Sequence, residues 1–422
     1  MQNTRLAKAS EMFFDFYVPA IGTLISSFAI LPYLELLDWE DKVVLPRSFF
    51  NQLASSSIKH PKLYRVQLDE VFEIELPSTL AGRHWPLETL HLELYPSLHK
   101  LGEVNTSLLC NSILALCAPT LESLTWVAMR GDGPQSTVMD RLDPPYFPKL
   151  RNLKLNNVKF SDSFILDALI RDNLRTLDAN TESSADFFSK RGKVPSLETF
   201  VWHSPCIPAD HPLEFLRANS QLTKLSVPFV LPEVLLETQL LPLLSKSFQR
   251  LKSLSLKWDS TSISESALEM ISSLTSLEQI HLSAGEQFGW ENNMLINHGT
   301  MRTYLRRLPC LRRIALSRDT YPNEQPGAPD SYYYADRFVV GAPNPLDRDT
   351  QSGLWEQKHC KHMLSEANEY ARVLPKLEWL YCGQLVMGFR DISKTGERAA
   401  IALSPERDDC WTLLQDIFGL GE

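Results

Sequence analysis

Hydrophobic positions along this chain recur in a short word, L-x-x-Φ-x-Φ with Φ apolar, which occurs twelve times. The copies open at Leu31, Leu63, Leu87, Leu121, Leu150, Leu174, Leu197, Leu222, Leu251, Leu277, Leu311 and Leu377. Between Leu31 and Leu311 the mean spacing is 28 residues, and individual steps run from 23 to 34. Apolar and polar positions alternate within each word. That alternation predicts a short strand whose Φ side chains enter the core while the residues between them face the other way. Between words the apolar residues return at helical spacing, as at Leu109, Ile113 and Leu116, and again at Leu268, Ile271 and Leu274. Ser262 and Glu265 stand at capping-box spacing ahead of the second set. Pro61, Pro119, Pro148, Pro195, Pro309 and Pro375 lie two residues before a leading Leu, where they predict the end of a helix and an extended entry into the strand.

Strand in, helix out, with a period near 28 residues, predicts an α/β fold of the leucine-rich-repeat solenoid type. About 12 repeats are expected to stack, with parallel strands on the concave side and helices on the convex side, because no single unit can bury its own apolar face. The asparagine or cysteine usual at the ninth position is replaced by residues such as Val71, Tyr95, Met129 and Val158, so an irregular solenoid is expected. Spacing breaks once, over the 66 residues from Leu311 to Leu377. The expected organisation is one continuous solenoid: a helical cap over 1–30, repeats over 31–318, a Pro/Tyr-rich insertion over 319–353, and the last repeat with a C-terminal cap over 354–422. Trp355, His359, Met363, Ala367, Tyr370 and Leu374 mark one stripe of a helix before the last strand. GQLVMGF and AAIALS read as a hairpin, and DDCWTLLQDIFG as a closing helix.

Composition narrows the picture. A net charge of −9 and a pI near 5.7 oppose nucleic-acid or anionic-lipid binding over the whole surface. Seven cysteines without a CxxC pair fit a reducing compartment, hence a cytoplasmic or nuclear protein. Phe16 to Leu34 holds 19 residues without a charge, but Pro19, Gly22 and Pro32 interrupt it, so a buried helix plus strand is favoured over a membrane segment.

Candidate chemistry is sparse. The chain lacks a phosphate-binding glycine loop, a GxSxG elbow, an HExxH helix and an EF-hand loop, so no catalytic residue, cofactor or metal is assigned. His359-Cys360-Lys361-His362 is the one metal-like cluster, and the place of His359 on an apolar stripe favours a hydrogen-bonded core histidine. Arg302, Arg306, Arg307, Arg312, Arg313 and Arg318 form a dense basic run. Pairing with acids on adjacent units is the favoured account, and an acidic-peptide site centred on Arg313 is the other. Alternation places Arg65, His91, Asn152, Lys154, Asn156, His203, Lys257, His281, Arg313, Trp379 and Tyr381 on the concave face, as a surface for a protein partner.

Trp355, His359, Met363, Leu364, Glu366, Ala367 and Tyr370, followed by LPKLEWLYCGQ and ERDDCWTLLQDIFG, give the chain a resemblance to a fungal family of F-box/leucine-rich-repeat-like proteins, over roughly Leu31 to Gly419. The resemblance implies substrate recognition in a ubiquitin ligase. About thirty residues precede the first word and no F-box is evident in them, so recruitment of a ligase adaptor is left open. The leading expectation is a monomeric, non-enzymatic module that binds a protein on its concave face. The alternatives are a scaffold anchored to a membrane by Phe16–Leu34 and an enzyme with a site near the Tyr-rich insertion.

Overall fold

The computed structural model describes Ala20, Thr23 and residues 33–41, 44–68, 72–74, 84–95, 107–128, 137–138, 145–156, 158–160, 164–180, 188, 192–203, 210–285, 287–288, 291–292, 294–316, 345–383, 385–392 and 397–403. The expected N-terminal cap, the bulk of the insertion and the closing helix DDCWTLLQDIFG lie outside these residues, Ala20 and Thr23 apart. The chain divides into two compact units, residues 1–197 with 210–218, and residues 198–209 with 219–422. Both are mixed α/β, built on mostly parallel, open sheet. Among the described residues no helix is long and apolar enough to cross a membrane.

In the first unit, β1 (Leu36–Trp39), β2 (His60–Gln67), β3 (Thr89–Tyr95), β4 (Ser123–Ala128), β6 (Asn152–Asn156) and β8 (Thr176–Asn180) lie side by side in chain order, all parallel. The short strands β5 (Thr137–Val138) and β7 (Lys159–Phe160) pair apart from them. Helices α1 (Arg47–Ala54), α2 (Ser107–Cys117), α3 (Phe164–Leu169) and α4 (Asp210–Ala218) complete the unit. The Φ positions fall into register: Leu90, Leu124, Leu153 and Leu177 form one row, and Leu92, Trp126, Leu155 and Ala179 the next. All eight are buried. At about 25 cal/mol per Å² of apolar surface removed from water, rows of this kind are the main stabilising contribution.

The first two words start elsewhere than expected. Leu36 pairs with His60 and Trp39 with Leu63, while Lys62 pairs with His91 and Leu63 with Leu92. The strand words therefore open at Leu34 and Ile58, and Leu63 fills the last Φ position instead of the first. Pro61 accordingly lies inside β2, opposite Leu37, and does not precede the strand. In the second word a buried Ile serves at the leading position as well as Leu does, so a search keyed on leucine slips by five residues; in the first, Leu34 leads and the start moves by three.

In the second unit, β9 (Thr199–Val201), β10 (Lys224–Leu231), β11 (Ser253–Trp258), β12 (Gln279–Ser283), β15 (Arg313–Leu316) and β16 (Trp379–Cys382) are parallel neighbours. β13 (Gln287–Phe288) and β14 (Glu291–Asn292) form a small antiparallel pair. β17 (Leu385–Ile392) and β18 (Glu397–Ala402) then add as the antiparallel hairpin read from GQLVMGF and AAIALS. Helices α5 (Glu233–Leu235), a π-helical turn (Leu236–Leu240), α6 (Leu241–Ser247), α7 (Glu265–Ser272), α8 (His298–Leu305) and α9 (Pro345–Val373) connect the strands. α7 is capped by Ser264, whose Oγ accepts the Ala267 N–H at 3.0 Å; Ser262 lies two residues too early to take the expected role. α9 absorbs residues 345–353, which were expected in the irregular insertion. Proline at a first helical position gives up an N–H that has no intrahelical acceptor there, so Pro345 opens the helix instead of breaking it.

Along the strand entries runs a main-chain ladder. Within each unit, the carbonyl of the residue after a leading apolar position accepts two N–H groups from the next strand of that unit: Lys59 O takes Glu88 N–H at 2.9 Å and Thr89 N–H at 3.0 Å, and Lys252 O takes Glu278 N–H at 2.8 Å and Gln279 N–H at 2.9 Å. At the far edge, β18 turns its Ala400 N–H to Asn368 Oδ1 on α9, 2.7 Å away. Replacing Asn368 with Ala strips that donor of its acceptor, and a loss of about 1 kcal/mol in urea unfolding is expected. Unchanged stability would mean that water substitutes for the amide.

Candidate functional site

The residues between the Φ positions make the polar face of the sheet. In the first unit they line up across strands: Asp38, Lys62, His91, Thr125, Lys154 and Asp178 in one row, and His60, Thr89, Ser123, Asn152 and Thr176 in the neighbouring one. They are exposed or half-buried throughout. Lys62 stands 3.7 Å from Asp38 and Lys154 3.8 Å from Asp178, contacts in solvent that are individually weak. His60 Nδ1 shares a hydrogen bond with Thr89 Oγ1 at 3.1 Å, and His91 Nε2 one with Glu93 Oε1 at 3.1 Å.

β2 departs from the alternation at Tyr64 and Arg65, where a bulge carries the chain from the Leu63–Leu92 pair to the Val66–Leu94 pair. Arg65 takes φ = 55°, the only non-glycine positive φ among the described residues. The left-handed region costs an ordinary residue about 1 kcal/mol. The bulge lays Tyr64 on His91, ring centroids 4.4 Å apart. Burial pushes the Tyr64 phenol above its usual range, with Asp38, Glu93 and Glu40 adding to the effect.

The same face in the second unit is different. Ser253, Ser255, Gln279, His281, Ala315, Trp379 and Tyr381 are all buried there. Ser255 Oγ and His281 Nδ1 lie 2.7 Å apart, and Gln279 Nε2 donates to Ser253 Oγ at 2.7 Å. Burial, then the nearby Lys257 charge, lowers the His281 pKa to about 3, so the ring is neutral at pH 7. Burial also lowers the Lys257 pKa. A serine beside a histidine has the outline of a nucleophile and base, but at 2% and 0% exposure neither can meet a substrate. The pair stitches β11 to β12.

The eleven residues expected on one binding surface are thus divided. Arg65, Asn152 and Lys154 are exposed, and His91, Asn156, His203, Lys257 and Arg313 are half-buried. His281, Trp379 and Tyr381 are buried, which corrects the expectation of a surface role. Alternation specifies which side of a strand a residue occupies; it does not specify whether that side is covered. His60, Lys62 and Thr125 belong to the exposed rows and were missed, the first two because the word was started at Leu63.

Four arginines of the run form ion pairs. Arg302 pairs with Glu366 and stacks over Tyr370, Arg307 reaches Glu269 at 2.7 Å, and Arg312 and Arg313 share Glu378 at 3.0 and 3.3 Å. Arg313 therefore shares a carboxylate with Arg312, which agrees with the favoured account of the run and not with an acidic-peptide site centred on Arg313. Arg318 lies outside the described residues. His359 is buried on α9, its Nε2 2.7 Å from Gly383 O, the core histidine its stripe implied. Among the described residues no group of three or more His, Cys, Asp or Glu is placed to hold a metal ion. A cleft of about 560 Å³ lies between α9 and β18, lined by Gln357, Cys360, Lys361, Leu364, Ser365, Asn368 and Ala400; of these only Cys360 and Lys361 belong to a cluster weighed in the sequence.

No protein-family model matches the chain, and no curated protein does.

Proposed function

We propose that the chain is an irregular leucine-rich-repeat-type solenoid acting as a protein-interaction module, similar to the substrate-recognition part of an F-box ubiquitin-ligase subunit. The partner would lie on the polar rows of the first unit, the concave side in such a fold. The observation carrying this reading is the contrast between the two units: the polar face is buried over β11, β12 and β16, yet open over β3 to β8, where Asn152 and Lys154 stand exposed. Parallel strands at a repeat-like spacing, with polar residues in register on one side, supply a binding surface built from many units.

The test compares immobilised wild-type protein with an Asn152→Ala, Lys154→Ala, Asp178→Ala variant in quantitative affinity capture. Loss of side chains at three exposed or half-exposed positions leaves folding within about 0.5 kcal/mol per site. A protein enriched by the wild type and lost from the equally stable variant is the expected result, and recovery of a ligase adaptor alongside it would support the ubiquitin-ligase reading. Identical captures by the two proteins would sink the proposed surface.

A further inference from the structure

Among the described residues, the half-buried Lys and Arg side chains of the second unit come with partners, with one exception. Arg302 pairs with Glu366, Arg313 with Glu378, and Arg398 donates to Leu377 O at 2.6 Å. Lys257 on β11 is half-buried like them, yet among the described residues it has no carboxylate and no hydrogen-bond acceptor. Burial lowers its pKa, with no opposing contribution from an acidic group. An ammonium drawn out of water without a counter-charge is costly, and buried charges in folded proteins are paired for that reason.

The strand register gives its surroundings. Lys257 pairs with Val230 on β10 and with Ser283 on β12, so the three share one row on the polar side of the sheet, with strands about 4.8 Å apart. Val230 reaches this row through the register shift that follows Ser226; without the shift Pro228 would stand there. In the row before, Ser255 and His281 are buried and bonded to each other, and the His281 ring is neutral. Ser283 is 6% exposed, and its Oγ has no partner among the described residues either. Val230 is 41% exposed, which leaves the row reachable from the β10 side.

We propose that Lys257 and Ser283 form a binding site for one small oxyanion, a carboxylate or phosphate group. The ammonium offers donors and no acceptor, and the hydroxyl one strand away adds a further donor, so a charged oxygen satisfies both. The bound anion supplies the counter-charge that Lys257 lacks. Size restricts the ligand. Ser255, His281 and Ser283 are buried, so a polypeptide strand cannot lie along this stretch of β11 and β12, whereas a group the size of acetate or phosphate can enter beside Val230. The site belongs to the second unit and does not rest on the surface proposed for the first.

The test is a magnetic-resonance titration of the full chain, isotopically labelled at the lysine Cε atoms, with sodium phosphate and separately with sodium acetate at constant ionic strength. The Lys257 signal, assigned by its absence from Lys257→Met, is expected to shift saturably, and its titration midpoint to rise toward that of an ordinary lysine once the anion is bound. Ser283→Ala is expected to weaken binding at least about threefold through the lost hydrogen bond. Lys257→Met is expected to abolish the anion-dependent rise in melting temperature, while Lys154→Met, on the polar face of the first unit, retains it. Response to both anions supports a general oxyanion site, and response to phosphate alone supports a phosphoryl site. A Lys257 signal that follows neither anion, or a melting-temperature rise that survives Lys257→Met, overturns the proposal and leaves the captured partner of the polar rows untouched.

Discussion

Acidification from pH 6.5 to 4.5 is expected to remove about 2 kcal/mol of stability through His281 alone. The sign follows from burial. The folded ring refuses a proton until about pH 3, whereas the unfolded chain accepts it near 6.5, so the unfolded state binds more protons throughout that window. Stability is fully present above pH 6.5 and falls as the pH drops toward 3. Lys257 opposes protonation from the same face, and Ser255 holds the ring in place on β11. Carboxylates elsewhere also titrate, so the measurement is the difference in pH slope between wild type and His281→Gln in urea unfolding. A slope shallower by one proton is expected for the variant. Equal slopes, or an imidazole resonance that titrates near pH 6.5 in the folded protein, would show that the ring is reachable by water.

Gly383→Ala is expected to cost about 3 kcal/mol. Gly383 turns β16 into β17 at φ = 57°, a conformation that costs an L residue 1 kcal/mol or more. A Cβ there would stand 2.6 Å from His359 Cε1 and 2.8 Å from Met363 Sδ, and both neighbours are fixed on the buried stripe of α9. Overpacking of this kind adds 1–3 kcal/mol. The same glycine carbonyl receives the His359 Nε2 contact, so turn and helix specify each other. Combining Gly383→Ala with His359→Ala removes the clash, and the two costs should then fall short of adding by at least about 1 kcal/mol. Additive costs would mean that the histidine yields freely. In either case loss of bound metal is not the cause expected, since His359 is committed to a hydrogen bond inside the core.

The strand words show how far a linear pattern reaches. Ten of the twelve leading leucines, Leu87 through Leu377, stand one residue ahead of the ladder, and their Φ companions are buried in rows. Such periodicity is legible because the side-chain alternation of a strand is a local property of its backbone. Ile58 was missed for a chemical reason, since isoleucine and leucine are equivalent in a core but not to a leucine search. The helix from Pro345 was missed at its start because proline, an interior helix breaker, is tolerated in the first turn.

The sequence by itself determined the strands, the side of each strand that is polar, the stripe of α9 and the helical histidine within it. Only the tertiary structure decided which stretches of the polar face are open. His281, Trp379 and Tyr381 share the alternation of His91, Asn152 and Lys154, yet the first three are buried and the last three are not. Facing is set by neighbours one and two residues away, whereas exposure is set by whatever distant chain packs on top, and that information is spread over the whole fold.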